Sequence, residues 1–202
     1  ESADGSRIHF SLTIDPVNGD LNAWKLAVQH YLACAALADR CVSRLLDALD
    51  NSQYAENTMV VLWSDHGFML GEKLHLHKLV LWEQSASTLL IVRDPSNPAS
   101  AGIHCYSPVN LMDLYPTIFS KMGLSAPGHV GGRDISWLLE NPAVPWDYPS
   151  LTVRFDDYAI RTLDNRYLRF NGDFNNAELY DDTADPMELV NLFWNPSYDA
   201  LR

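Results

Sequence analysis

The sequence predicts an α/β layer followed by a small antiparallel β appendage. Three observations predict it: a long helical repeat over residues 22–49, two short apolar runs at 59–63 and 89–92, and strand-and-hairpin signals from Ser150 onward. In the helical stretch Trp24, Ala27, Val28, Tyr31, Leu32, Ala35, Val42, Leu45, Leu46 and Leu49 share one face, with Asp39, Arg40, Ser43, Arg44 and Asp47 largely on the other. Asn51-Ser52 ends it. The two apolar runs read as buried strands, and the second stops at Asp94-Pro95-Ser96-Asn97-Pro98. A further helix is expected over 109–122, with Asp113 as cap, Pro116 in its first turn and Gly123 closing it.

Residues 124–149 are rich in Pro and Gly and read as a surface wrap. Beyond them 151–155, 158–161 and 166–170 read as short strands, with turns at Asp164-Asn165 and Asn171-Gly172-Asp173. The chain therefore divides into a polar lead-in (1–21, with turn signals at Asp15-Pro16), an α/β part (22–149) and a small antiparallel β part (150–202).

Composition removes several classes of function. A 202-residue chain with 47% hydrophobic and 11% aromatic residues can bury a core and is not a disordered segment. A net charge of −12 argues against nucleic acid and anionic membrane surfaces as partners, because both are bound through displaced counterions by basic surfaces. An acidic chain acting on an anion must concentrate positive charge locally. No apolar run reaches about 18 residues, so no membrane span is expected. Cys34, Cys41 and Cys105 fit neither a disulfide framework nor a metal-type pair and read as small buried apolar residues. The chain opens on Glu1 without a Met, which suggests a processed or partial protein, and its localisation is not assigned by composition.

The chemistry concentrates in residues 64–83, SDHGFMLGEKLHLHKLVLWE, directly after the first apolar run. Ligands in α/β sheets bind beyond the carboxyl ends of strands, so Asp65 and His66 stand where a site is expected. An adjacent carboxylate and imidazole can both ligate a divalent metal. Gly67 and Gly71 allow sharp turns or close approach. Lys78 could return to the same pocket and hold an anion as a point charge. An Asp-His-Gly turn that merely caps the next segment is an equal alternative on chemistry alone.

This stretch resembles the second metal-binding segment of the type I sulfatases of the alkaline phosphatase-like superfamily, nearest to the bacterial iduronate-2-sulfatase-like group. The resemblance rests on Ser64-Asp65-His66-Gly67, Leu70-Gly71-Glu72, Lys78 and Trp82-Glu83. It extends, in order, to the helical segment ending Arg44-Leu45-Leu46-Asp47-Ala48-Leu49, to Asp113-Leu114-Tyr115-Pro116-Thr117, to Gly132-Arg133-Asp134, and to Asp185-Pro186-Met187-Glu188. Ser87 and Leu89 stand where that group often has Arg and Pro.

The resemblance implies a partial alkaline phosphatase-like α/β sandwich with a C-terminal antiparallel sheet subdomain. It implies hydrolysis of sulfate esters, with Asp65 and His66 as ligands of a divalent metal, usually Ca²⁺, and Lys78 on the sulfate oxygens. His75 would donate a proton or contact substrate, and His77 would contact substrate. Glu72 and Glu83 are expected to be structural. The substrate implied is a sulfated small molecule or saccharide, and the setting periplasmic, secreted or lysosomal. The family's formylglycine nucleophile arises in a Cys/Ser-x-Pro-x-Arg motif that is absent here. The expectation is a missing N-terminal half, from the same gene or a separate chain, and no activity from these 202 residues alone. The alternatives are a phosphate or phosphonate ester hydrolase of the same superfamily, and a noncatalytic fragment or interaction module.

Overall fold

A computed structural model describes residues 21–201; the polar lead-in expected over 1–21 lies, but for Leu21, outside the described residues. The chain forms two compact units: one of residues up to Leu79 with Ser87–Pro98, the other of Val80–Ala86 with Ala99 onward.

The first unit is built on helix α1 (Leu21–Asp50). The helix ends where the sequence supplies side-chain acceptors and donors. Asn51 Nδ2 donates to the Asp47 carbonyl and Ser52 Oγ to that of Leu49, each at 2.7 Å, taking up carbonyls that the last turn leaves open. Strand β1 (Val60–Trp63) pairs antiparallel with β4 (Leu90–Arg93), in register Val60 to Arg93 and Trp63 to Leu90. Between them lies a two-residue hairpin of β2 (Met69–Leu70) and β3 (Leu76–His77). Thr88 Oγ1 donates to the Ser64 carbonyl at 2.9 Å, and Ser64 N–H to that of Leu89 at 3.2 Å, which holds the approach to β4 despite the unusual Ser87 and Leu89. After β4 the carboxylate of Asp94 accepts from Ser96 N–H and Oγ, forming the expected break.

Two expectations are corrected here. The apolar runs are not buried strands: β1 is half-buried and Trp63 is 51% exposed, because each strand has one neighbour among the described residues. Cys34, Cys41 and Cys105 are exposed, not buried. For the first two the reason is the helix that carries them. α1 fully buries no residue, and every position from Tyr31 to Cys41 is exposed. A 30-residue helix runs about 45 Å, far longer than a pair of four-residue strands can cover.

The second unit starts from the short helix α2 (Glu83–Ala86) and continues with α3 (Leu114–Lys121) and α4 (Ser136–Glu140). Asp113, 1% exposed, is a hub. It accepts from Asn110 N–H at 2.8 Å, completing a capping box, and from Arg133 N–H at 2.7 Å, which fastens the Gly132-Arg133-Asp134 turn. Gly123, at φ +69°, closes α3, and Leu124 N–H reaches back to the Phe119 carbonyl at 2.9 Å.

The appendage is a four-stranded antiparallel sheet, β5 (Ser150–Arg154), β6 (Asp157–Arg161), β7 (Asn165–Phe170) and β8 (Asp173–Asp181), in sequential order. Asn171-Gly172 turns β7 into β8 with both residues at positive φ, as a type I′ hairpin requires. Leu81, Ala159, Leu168 and Tyr180 pack on one face; Ala177, Leu179 and Phe193 form a second cluster.

Beneath the first face lies an ion network. Arg166, 3% exposed, is 2.7 Å from Glu188, which is fully buried, and also contacts Glu83. Glu188 accepts from Glu83 N–H at 2.9 Å, and Arg161 bridges Asp182 at 3.0 Å. Burial holds the Asp182 carboxyl above its ordinary value even though Arg161 and Arg166 pull it down. Glu83 is thereby structural, as expected. No helix among the described residues is long and apolar enough to cross a membrane.

Two outcomes follow. Glu188→Gln strips the buried Arg166 of a charged partner and is expected to cost about 3–5 kcal/mol in urea unfolding; a change under about 1 kcal/mol would show the network to be dispensable. Gly71→Ala meets both a φ of +128° and a Cβ position 3.0 Å from the Trp24 ring, and is expected to cost about 1–3 kcal/mol in the same measurement.

Candidate active-site loop

Residues 64–79 leave the carboxyl end of β1 and return through the β2–β3 hairpin. Aromatic side chains fix this loop on α1. Trp24 donates its indole N–H to the Leu70 carbonyl at 2.7 Å. Gly71 passes beneath that ring, where a Cβ would lie 3.0 Å from the indole. Tyr31, Phe68 and His77 form a ladder, with ring centroids 5.1 and 5.4 Å apart. Glu72 Oε2 accepts from Leu70 N–H at 2.6 Å and is structural, as expected. The backbone is strained: Lys73, Leu74, His77 and Leu79 all have positive φ, four of the seven non-glycine residues so placed among the described residues.

Asp65, His66 and Lys78 converge at the open end of this loop. The Asp65 carboxylate is exposed and accepts from His66 N–H at 3.1 Å and from Ser64 Oγ at 3.4 Å. Desolvation would raise its pKa, but the adjacent imidazole, the backbone N–H groups of Asp65 and His66 and the Ser64 hydroxyl hold it below the ordinary carboxylate value. His66 Nδ1 lies 2.7 Å from the Gly67 carbonyl, which can only accept, so the ring proton is on Nδ1. Nε2 is left with its lone pair. It faces Lys78 Nζ at 2.9 Å, which can only donate, and Asp65 Oδ2 at 3.3 Å. The Gly67 carbonyl and the Lys78 ammonium assign the same tautomer. A carboxylate oxygen and an imine nitrogen thus stand 3.3 Å apart, with the Lys78 ammonium against the nitrogen at 2.9 Å.

The residues present fit a divalent metal in chemistry, though only as part of a shell. A ligating His commonly gives its other N–H to a backbone carbonyl, as His66 does. Asp65 and His66 supply two donors, and no cluster of three or more His, Cys, Asp or Glu suited to a metal exists among the described residues.

His75 and His77 stand just before Lys78 on the same hairpin. His75 is buried, at 4% exposure, and its backbone N–H donates to the Glu72 carbonyl at 2.9 Å. His77 is half-buried against Phe68. Trp24, Phe68 and the Gly67 carbonyl, which orient the site, were not singled out for it from sequence. The available signal was Trp24 itself, since an indole N–H on a packed helix face needs an acceptor.

Comparison with known proteins gives one answer. Residues 13–124 match the family described as Sulfatase, and residues 71–202 match N-sulphoglucosamine sulphohydrolase, C-terminal. A sulfatase of Formosa agariphila is 35% identical over 169 residues, covering 83% of this chain and 32% of that protein. A solved structure in complex with its substrate D-glucosamine-2-N,6-O-disulfate superposes with a TM-score of 0.73 at 27% identity, over 89% of this chain and 38% of that one. The phosphonate monoester hydrolase of Agrobacterium radiobacter superposes with a TM-score of 0.67 at 26% identity, over 83% and 37%. This chain spans about a third of the length of the curated relatives it matches. Its helices and antiparallel sheets form part of an alkaline phosphatase-like α/β fold. With the first family description covering more than half of its residues and the second running to its last, the chain belongs to the sulfatase family.

Proposed function

We propose that this chain carries part of the metal and anion site of a sulfate ester hydrolase. The observation that supports it best is the His66 tautomer: Nδ1 is spent on the Gly67 carbonyl, and Nε2 faces the Asp65 carboxylate and the Lys78 ammonium. Sulfatases generally use a divalent metal, and we assign Asp65 and His66 to it as ligands. Ca²⁺ is our choice of ion. It takes six to eight oxygen donors and accepts one nitrogen poorly, so most of its shell must be oxygen from residues other than these two. When bound, such an ion polarises the sulfate oxygens and stabilises the charge that develops on them.

The remaining work falls to the chain's own side chains. Asp65 stays ionised and aimed by the His66 N–H and Ser64 hydroxyl. Lys78 holds a sulfate oxygen as a point charge, which meets the need of a chain of net charge −12 for local positive potential around an anion. His75, buried in the β2–β3 hairpin, either passes a proton to the leaving alkoxide or contacts substrate, and His77, packed against Phe68, contacts substrate. The formylglycine nucleophile comes from a segment outside these 202 residues, and the uncovered stripe of α1 supports such a neighbour. The substrate class is a sulfated small molecule or saccharide, by likeness to the relative solved with a disulfated glucosamine. A phosphonate or phosphate ester is the second reading, favoured by the likeness to the Agrobacterium hydrolase.

In the complete protein, Asp65→Ala is expected to remove the metal and to lower aryl sulfate turnover by more than about a hundredfold. Metal content measured by elemental analysis that stays at the parent level would refute the ligand assignment. Turnover of aryl sulfate and aryl phosphate side by side separates the two readings, and faster phosphate cleavage would overturn the first.

A further inference from the structure

We infer that Lys78 is the resident cation of this site and must be displaced from His66 before a divalent metal can bind there. The inference rests on the ligand assignment of Asp65 and His66 and goes beyond it. With Nδ1 protonated, His66 Nε2 has a single in-plane lone pair, and Lys78 Nζ already occupies it at 2.9 Å. A metal–nitrogen bond needs that same lone pair. Asp65 Oδ2, the second donor, lies 3.3 Å from Nε2, so an ion held by both would meet the ammonium there. Two cations cannot share a space this small: unit charges a few ångströms apart repel strongly at the effective dielectric of a protein surface.

The displaced ammonium has little room to wander. Lys78 is half-buried and is flanked by His77 at φ +112° and Leu79 at φ +68°, in a loop fastened through Trp24 and Phe68. Losing its acceptor on His66 leaves Nζ with donors to satisfy beside a newly bound ion. A sulfate oxygen supplies the acceptor. Metal uptake and arming of the anion-binding lysine are then one event, and metal precedes anion in the order of binding.

The test uses the complete protein stripped by a chelator, titrated calorimetrically with Ca²⁺, alongside Lys78→Met and Lys78→Arg. Lys78→Met is expected to bind Ca²⁺ about tenfold more tightly than the parent, the size expected for loss of one competing charged hydrogen bond, and Lys78→Arg no more tightly than the parent. Nitrogen-15 histidine spectra separate displacement from general repulsion. In the metal-free parent, His66 Nε2 gives the signal of an unprotonated hydrogen-bond acceptor, and Lys78→Met moves it toward a free nitrogen before any metal is added. Unchanged or weaker Ca²⁺ affinity in Lys78→Met, or a metal-free Nε2 signal indifferent to that substitution, overturns the inference alone. A parent that takes up no Ca²⁺ overturns both the inference and the ligand assignment beneath it.

Discussion

One hydrogen bond decides what the loop after β1 can do. By giving its Nδ1 proton to the Gly67 carbonyl, His66 becomes a fixed single-lone-pair donor instead of a ring free to rotate and exchange tautomers. Everything else in the loop serves that orientation. Trp24 and the Tyr31–Phe68–His77 ladder hold the hairpin against α1. Gly71 lets the chain pass under the indole, and Ser64 and Thr88 pin the loop at its two ends. The apolar packing is ordinary; its product is a polar group with only one direction to point.

The two units are stabilised by different physics. In the second, a buried guanidinium, Arg166, is matched by Glu188 and Glu83, and Glu188, Leu168 and Tyr180 are all but fully buried. Tyr180 is buried beside Glu178, to which its phenol donates at 2.6 Å, and burial together with that carboxylate pushes its pKa well up. Among its described residues the first unit has no comparable interior: α1 leaves Leu32, Leu37 and Leu45 more than half exposed. The 64–83 motif spans both. Its metal-type half belongs to the first unit, and Trp82 and Glu83 belong to the second, where they bond to Glu178 and Arg166.

How much of this the sequence disclosed depended on the strength of each local signal. The 3.6-residue period placed α1 within one residue at either end, and Asn171-Gly172 marked its hairpin because few other pairs tolerate two positive φ angles. Strand β8 carries a weak signal because Asn175 and Asn176 interrupt it, and a register shift there relieves the mismatch. The apolar runs of β1 and β4 speak of burial, but burial requires neighbours as well as apolar side chains, and each strand has one among the described residues. At the site, residue types and spacing brought Asp65, His66 and Lys78 to attention together. The tautomer could not be read, since it depends on a backbone carbonyl, which every residue carries alike. The Arg166–Glu188 pair was equally hidden, as nothing in the chain order joins residues 22 positions apart on different elements.

The left-handed backbone at Lys73, Leu74, His77 and Leu79 narrows what variation the loop can accept. Branching at the β-carbon is disfavoured at each of these positions, so Val, Ile and Thr are closed to drift there, while Gly and Asn remain open. Homologous loops should then vary between long unbranched side chains and small flexible ones, and an aliphatic swap that looks harmless on a hydrophobicity scale would unseat the lysine between them.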